Sequence, residues 1–202
     1  EYPDYKLADQ LKIVAQLIAG GIKSKIFVVR IGGFDTHDNQ VEEGNPETGR
    51  HALLMEELSE SLFYFQQDIV QRNLEERVLT MTYSEFGRRV KENGSKGTDH
   101  GTAAPIFLYG TSLRGKILGS QPSLSDLDSK GNVKIQYDYR QIYSSIMKDW
   151  FELPEITTKE VLGDDYAPLD LIKEPSLNIS DDIQMPSSFE LSPAYPNPVS
   201  YT

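Results

Sequence analysis

The sequence has 202 residues, a formal net charge of −11 and no cysteine. A chain this acidic does not bind nucleic acid or anionic lipid by charge attraction, and it has no run of about 18 apolar residues that could span a membrane. Without cysteine there are no disulfides and no thiolate ligands, so any metal site must use His, Asp or Glu.

Six segments carry the apolar patterns of regular secondary structure. Apolar residues spaced by three and four predict amphipathic helices, and short continuous apolar runs predict strands buried on both faces. In chain order, the predicted elements are a helix over 5–22 that stops at a Gly-Gly pair, a strand over 25–31, a helix over 50–72, strands over 78–83 and 104–109, and a helix over 139–151. This order predicts an α/β fold with a mostly parallel sheet flanked by helices.

The composition changes after about residue 162. Prolines, serines and paired aspartates follow one another there without a sustained apolar period. Such a composition predicts an extended, weakly ordered segment. We therefore assign residues 1–162 to the folded domain and residues 163–188 to a linker.

Polar clusters adjoin the three predicted strands. Asp35 and His37 follow the first strand, Glu85 and Arg88 follow the second, and His100 precedes the third. Loops beyond the carboxyl ends of strands in an open sheet converge on ligand sites, and an extended Asp-x-His stretch places both side chains on one side. Two carboxylates and two imidazoles form a ligand set suited to zinc or manganese, with one position open. Arg88 is a candidate to hold an anionic oxygen.

The residue types alone leave a simpler explanation open. An Asp-x-His pair also stabilises turns, Glu85 suits the start of a helix, and Asp99 suits a turn. All three histidines and the candidate carboxylates nevertheless lie on loops or at element starts, outside the apolar runs. That coincidence favours a shared site.

Four longer stretches carry a family resemblance. In chain order they are GGFDTHDNQ, YSEFGRR, GTDHGTAAPIFLYG and DYRQIYSSIMKDWF. Over about residues 5–153 they resemble the bacterial domain-of-unknown-function family fifteen hundred and one, which is grouped with the alkaline phosphatase and sulfatase superfamily of metal-dependent hydrolases. The resemblance implies an alkaline phosphatase-like fold, of which this chain holds the C-terminal portion.

The resemblance also implies roles for single residues. It implies a divalent metal (zinc, manganese or calcium) held by four side chains: Asp35, His37, Glu85 and His100. The expected substrate-binding residues are Arg88 and Asp99, and the expected substrate is a small or polymeric phosphate or sulfate ester.

Two departures from the superfamily limit this expectation. Phe86 stands where a histidine ligand is expected, and the superfamily's nucleophile precedes the first helix, so no catalytic residue is expected in this chain. We expect metal-dependent ester hydrolysis in the full-length protein and an inactive fragment here. The alternative is a non-catalytic cell-surface binding or structural domain with a degenerate metal site.

The C-terminal residues carry a second resemblance. Residues 189–198 read FELSPAYPNP, which is similar to the opening of the C-terminal sorting domains of the type IX secretion system. The resemblance implies a protein of the Bacteroidetes type that is recognised by this export machinery through its C-terminal signal and is secreted or displayed at the cell surface. Residues 189–202 are therefore predicted to begin a sorting domain.

Overall fold

The computed structural model describes residues 1–43, 45 and 47–173. Most of the predicted linker, and the whole predicted sorting segment over 189–202, lie outside the described residues. Within the described part of the chain, no helix is long and apolar enough to cross a membrane.

The described residues form four α-helices: α1 (Lys6–Ala19), α2 (Arg50–Gln71), α3 (Tyr139–Ser145) and α4 (Glu155–Leu162). A π-helical turn over Ile146–Trp150 extends α3. The three helices predicted from apolar spacing are confirmed. The pattern does not predict α4, because its eight residues carry too few apolar side chains to form a stripe.

The hydrophobic core lies between α1 and α2. Both helices place apolar residues at spacings of three and four, so that one stripe on each faces the other. The buried core residues are Leu7, Leu11, Val14, Ala15, Leu62, Phe65, Ile69 and Leu74. Removal of these side chains from water is the main force that holds the two helices together.

The predicted strand over 25–31 is an extended segment that covers one side of this core. Phe27, Val29 and Ile31 pack against the core. Ile26 and Val28 alternate with them and are 69% and 72% exposed. The segment pairs with no strand among the described residues, although a glutamine side chain of α1 bonds both backbone groups of residue 30. The expected burial on both faces is therefore seen on one face only.

The paired strands of the described residues form two small sheets. β1 (Thr80–Met81) pairs with β4 (Leu108–Tyr109), and β2 (Gly87–Glu92) pairs with β3 (Thr98–Gly101). Both pairs are antiparallel, so the described residues contain no parallel sheet. β1 and β4 lie inside two of the predicted strands, whereas β2 and β3 occupy stretches that were expected to be loops. The mostly parallel sheet and the alkaline phosphatase-like fold of the whole domain stay predictions.

The first residues of the predicted linker pack onto the domain. Leu171 and Ile172 are buried, and Ile172 forms an isolated β-bridge with Leu113. The carboxylate of Asp170 pairs with Arg114 at 2.6 Å and with a neighbouring lysine at 2.7 Å. The described part of this segment therefore contacts the loop after β4.

Candidate metal centre

The loop after the extended segment lies against the turn between β2 and β3. Three backbone hydrogen bonds join loop and turn, from Asn39 N–H to the Ser95 carbonyl (3.2 Å), from Gln40 N–H to the Lys96 carbonyl (2.9 Å) and from Thr98 N–H to the Thr36 carbonyl (3.3 Å). The side-chain oxygen of Gln40 also accepts hydrogen bonds from the hydroxyls of Thr36 and Thr98. These contacts hold the loop that carries His37 beside the strand that carries His100.

Gly97 allows the close approach of loop and turn. A Cβ atom at this position would lie 2.3 Å from the carbonyl carbon and oxygen of His37 and 2.6 Å from the carbonyl oxygen of Thr36. Real Cβ atoms essentially never come that close to other heavy atoms. The position of His37 therefore depends on residue 97 having no side chain.

Asp35, His37 and His100 converge on one point. The Oδ1 atom of Asp35 lies 3.0 Å from His37 Nε2 and 2.8 Å from His100 Nε2, and the two Nε2 atoms are 3.1 Å apart. Each residue thus offers one ligand atom to a common centre. The three side chains are 59%, 45% and 48% exposed in that order, so the centre is open to solvent on one side.

Local structure explains why these atoms meet. The side chain of Thr36 is fully buried, whereas those of Asp35 and His37 on either side of it are 59% and 45% exposed, so both lie on the solvent side of the loop. β2 and β3 pair in a register that places Arg88 opposite His100. Because paired residues of neighbouring strands point to the same face, the hairpin brings the guanidinium of Arg88 next to His100 and Asp35.

Arg88 holds Asp35 and its surroundings in place. Its guanidinium donates to the backbone carbonyls of Phe34 and Thr98 and lies 3.2 Å from Asp35 Oδ1. A hydrogen bond from His100 is the largest influence that keeps the pKa of Asp35 below its usual value, and the nearby positive charges add to it. The predicted role of Arg88 in substrate binding stays a prediction, and these contacts engage its guanidinium within the protein.

Asp99 lies on the far side of the His37 ring. Its Oδ1 is 3.5 Å from His37 Nδ1, and the side-chain amide of Asn93 donates to it at 3.3 Å. The same amide donates to the backbone carbonyl of His37 at 2.8 Å. Sequence reasoning singled out Asp99 and placed Gly97 in the same polar cluster, but it missed Asn93.

Neither Phe86 nor Glu85 supplies a ligand atom to the cluster of Asp35, His37 and His100. Phe86, at the position where a histidine was expected, stacks on the His100 ring with centroids 3.8 Å apart and planes at 10°. Glu85 is exposed and is not part of the cluster formed by the three converging residues. The third histidine, His51, opens α2 with its ring edge-on to Phe34 and also lies outside the cluster.

The donor set fits a divalent cation. Two imidazole nitrogens and one carboxylate oxygen are a common protein contribution to a catalytic zinc site, which keeps a further position open for water or substrate. Two histidines and one carboxylate also bind ferrous iron. The arrangement can therefore hold one transition-metal ion at a solvent-accessible position.

A family match covers most of the chain and the whole of this cluster. Residues 14–159 match the family described as "Protein of unknown function (DUF1501)". The chain belongs to the DUF1501 family. No curated protein and no solved structure matches it.

All six residues predicted to bind metal or substrate lie inside the DUF1501 match. The predicted linker and sorting segment, from residue 163 onward, lie beyond it. The DUF1501 match therefore ends close to the predicted boundary between domain and linker, and the boundary itself stays a prediction.

Proposed function

We propose that this DUF1501 domain binds a single divalent cation through Asp35, His37 and His100. We further propose that the full-length protein uses the cation to hydrolyse phosphate or sulfate esters. The observation that carries the proposal is the meeting of the three ligand atoms within hydrogen-bonding distance of one another. Zinc is the first candidate, and manganese, calcium and ferrous iron are the alternatives to measure.

The residues around the centre supply the support that such a site needs. Arg88 ties Asp35 to two backbone carbonyls, and Phe86 stacks on His100 and fixes the plane of its ring. A bound divalent cation would polarise an ester oxygen and stabilise the charge that develops on it. The exposed side of the cluster leaves room for an ester to approach. The resemblance to the superfamily also implies a nucleophile, which none of the six predicted site residues supplies, so the hydrolysis tests use the full-length protein.

A single cation is favoured over a pair. Phe86 has no ligand atom and covers one face of His100. Glu85, the carboxylate predicted to complete the set, is exposed outside the cluster. Among the described residues, one group of three side chains is placed to hold a metal ion.

Zinc titration of the 202-residue chain tests the metal site. Isothermal calorimetry should show one zinc per chain, and elemental analysis after dialysis should agree. Asp35→Ala, His37→Ala and His100→Ala should each abolish stoichiometric binding. His51→Ala is the matched control, because it removes an imidazole outside the cluster and should bind zinc as the wild type does. Wild-type binding in all three cluster variants would contradict the proposal.

A second candidate function is a non-catalytic surface domain with a degenerate metal site. It is favoured by Phe86, which occupies a position expected to carry a ligand. Hydrolysis of p-nitrophenyl phosphate and p-nitrophenyl sulfate by the full-length protein, with and without chelator, separates the two. Chelator-sensitive turnover supports the hydrolase. Stoichiometric zinc without turnover supports the binding domain.

Export to the cell surface is proposed on the sequence of residues 189–198 alone, which lie outside the described residues. The proposal predicts that the full-length protein reaches the surface in a strain with a working type IX system. In a strain that lacks the system, the protein should stay inside the cell envelope. Equal surface display in both strains would contradict it.

A further inference from the structure

The two ring nitrogens of His37 face different partners. Nε2 lies 3.0 Å from Asp35 Oδ1 and 3.1 Å from His100 Nε2. Nδ1 lies 3.5 Å from Asp99 Oδ1 on the other side of the ring. A histidine that binds a metal through one nitrogen carries a proton on the other and almost always donates it to a carboxylate, a carbonyl or water. The His37 ring thus has a ligand side and a donor side.

Asp99 is itself held in position by Asn93. The Nδ2 atom of Asn93 lies 3.3 Å from Asp99 Oδ1 and 2.8 Å from the His37 carbonyl oxygen. Its Oδ1 atom accepts from the backbone N–H groups of Ser95 and Gly97, at 2.9 and 3.2 Å. One asparagine therefore fixes the turn, the carboxylate and the backbone of the histidine together.

The carboxylate of Asp99 is suited to accept a hydrogen bond from His37. An ionised carboxylate accepts hydrogen bonds and donates none. With a cation bound at Nε2, the proton of the His37 ring lies on Nδ1, which faces Asp99.

We propose that Asp99 is a positioning residue of the metal centre, whose carboxylate accepts the Nδ1 proton of His37 and so directs Nε2 toward the cation. The side-chain amide of Asn93 donates to Asp99 and holds its carboxylate beside the His37 ring. The inference rests on the proposed metal site and assigns Asp99 a different role from the substrate contact expected from the sequence. The 3.5 Å separation is longer than the roughly 2.7–3.2 Å of an ordinary N–H···O hydrogen bond, so the proposal requires the ring and the carboxylate to move closer when a cation binds.

Zinc affinity of matched variants of the full chain tests this role. Asp99→Ala should weaken zinc binding by about 10- to 100-fold, the range measured when such an outer partner of a metal ligand is lost. Asp38→Ala is the control, because it removes the same charge one residue from His37, where the carboxylate pairs with Arg50 at 3.9 Å. It should change zinc affinity much less. Asp99→Asn should recover part of the loss, because its amide oxygen can accept the same proton.

Nitrogen-15 NMR of the zinc-loaded protein reports the protonated ring atom directly. The wild type should show a slowly exchanging Nδ1–H signal of His37, which is lost in Asp99→Ala and retained in Asp99→Asn. Metal binding through Nδ1, or equal zinc affinities for Asp99→Ala and Asp38→Ala, would overturn the inference and leave the metal site standing. A wild type that binds no zinc would overturn both. If Asp99→Ala does not fold, the wild-type spectrum alone decides.

Discussion

The substitution Gly97→Ala tests whether the fit between loop and turn sets the geometry of the metal centre. The new Cβ would lie 2.3 Å from two backbone atoms of His37, whereas ordinary contact begins at 3.4 Å. Loop and turn must therefore separate by about 1.1 Å. Binding constellations tolerate errors of about 0.5 Å, so this displacement is large enough to part His37 from His100.

We expect two measurable effects of Gly97→Ala. Overpacking of this kind lowers the free energy of unfolding by about 1–3 kcal/mol, which urea unfolding measures. Zinc affinity should fall by about 10- to 100-fold, measured by calorimetry. Gly94→Ala is the control from the same turn, because a Cβ there meets nothing within 4 Å. If Gly97→Ala matches Gly94→Ala in both measurements, the reasoning from the close approach is refuted.

Three further substitutions test other contacts by urea unfolding. Arg88→Met leaves two backbone carbonyls without their donor and should lower the free energy of unfolding by about 1.5–3 kcal/mol, while Arg88→Lys should restore only part because it lacks the planar fork. Ile69→Ala removes a fully buried side chain and should lower the free energy of unfolding by about 2–5 kcal/mol. A loss below about 1 kcal/mol would contradict the assigned core. Asp138→Ala removes the N-cap of α3 and should lower it by about 1 kcal/mol at neutral pH. Because the hydrogen bond from Arg140 lowers the pKa of Asp138, this contribution is present above the usual carboxyl pKa of about 3.9 and is lost as the pH falls through the lower folded value. The difference between wild type and Asp138→Ala should therefore shrink in acid, and a constant difference would contradict the assignment.

The helices could be predicted from the sequence because their burial follows the helical period. α1 and α2 carry apolar stripes at spacings of three and four, and those stripes form the core. The strands could be predicted less well. A continuous apolar run does not show which face is covered, and in the segment over 26–31 only alternate residues are partly buried.

The candidate site could be predicted in part. The strand-end clusters contain Asp35, His37 and His100, which lie together, but a linear pattern carries no distance that would show Glu85 apart from them. The contacts of Arg88 with two carbonyls depend on strand register, which the sequence does not display. Asn93 carried a signal that was overlooked, since Asn-Gly followed by a second nearby glycine is typical of a hairpin turn.

The half-covered segment over 26–31 has a consequence for the behaviour of the chain in solution. Ile26 and Val28 present an apolar, strand-like surface to water, and unpaired strand edges recruit strands from other molecules. The net charge of −11 opposes such encounters by mutual repulsion. Salt screens that repulsion, with a Debye length of about 10 Å at 0.1 M and about 3 Å at 1 M. Self-association of this chain should therefore rise with ionic strength, and dilute, low-salt buffers should keep its molecules apart.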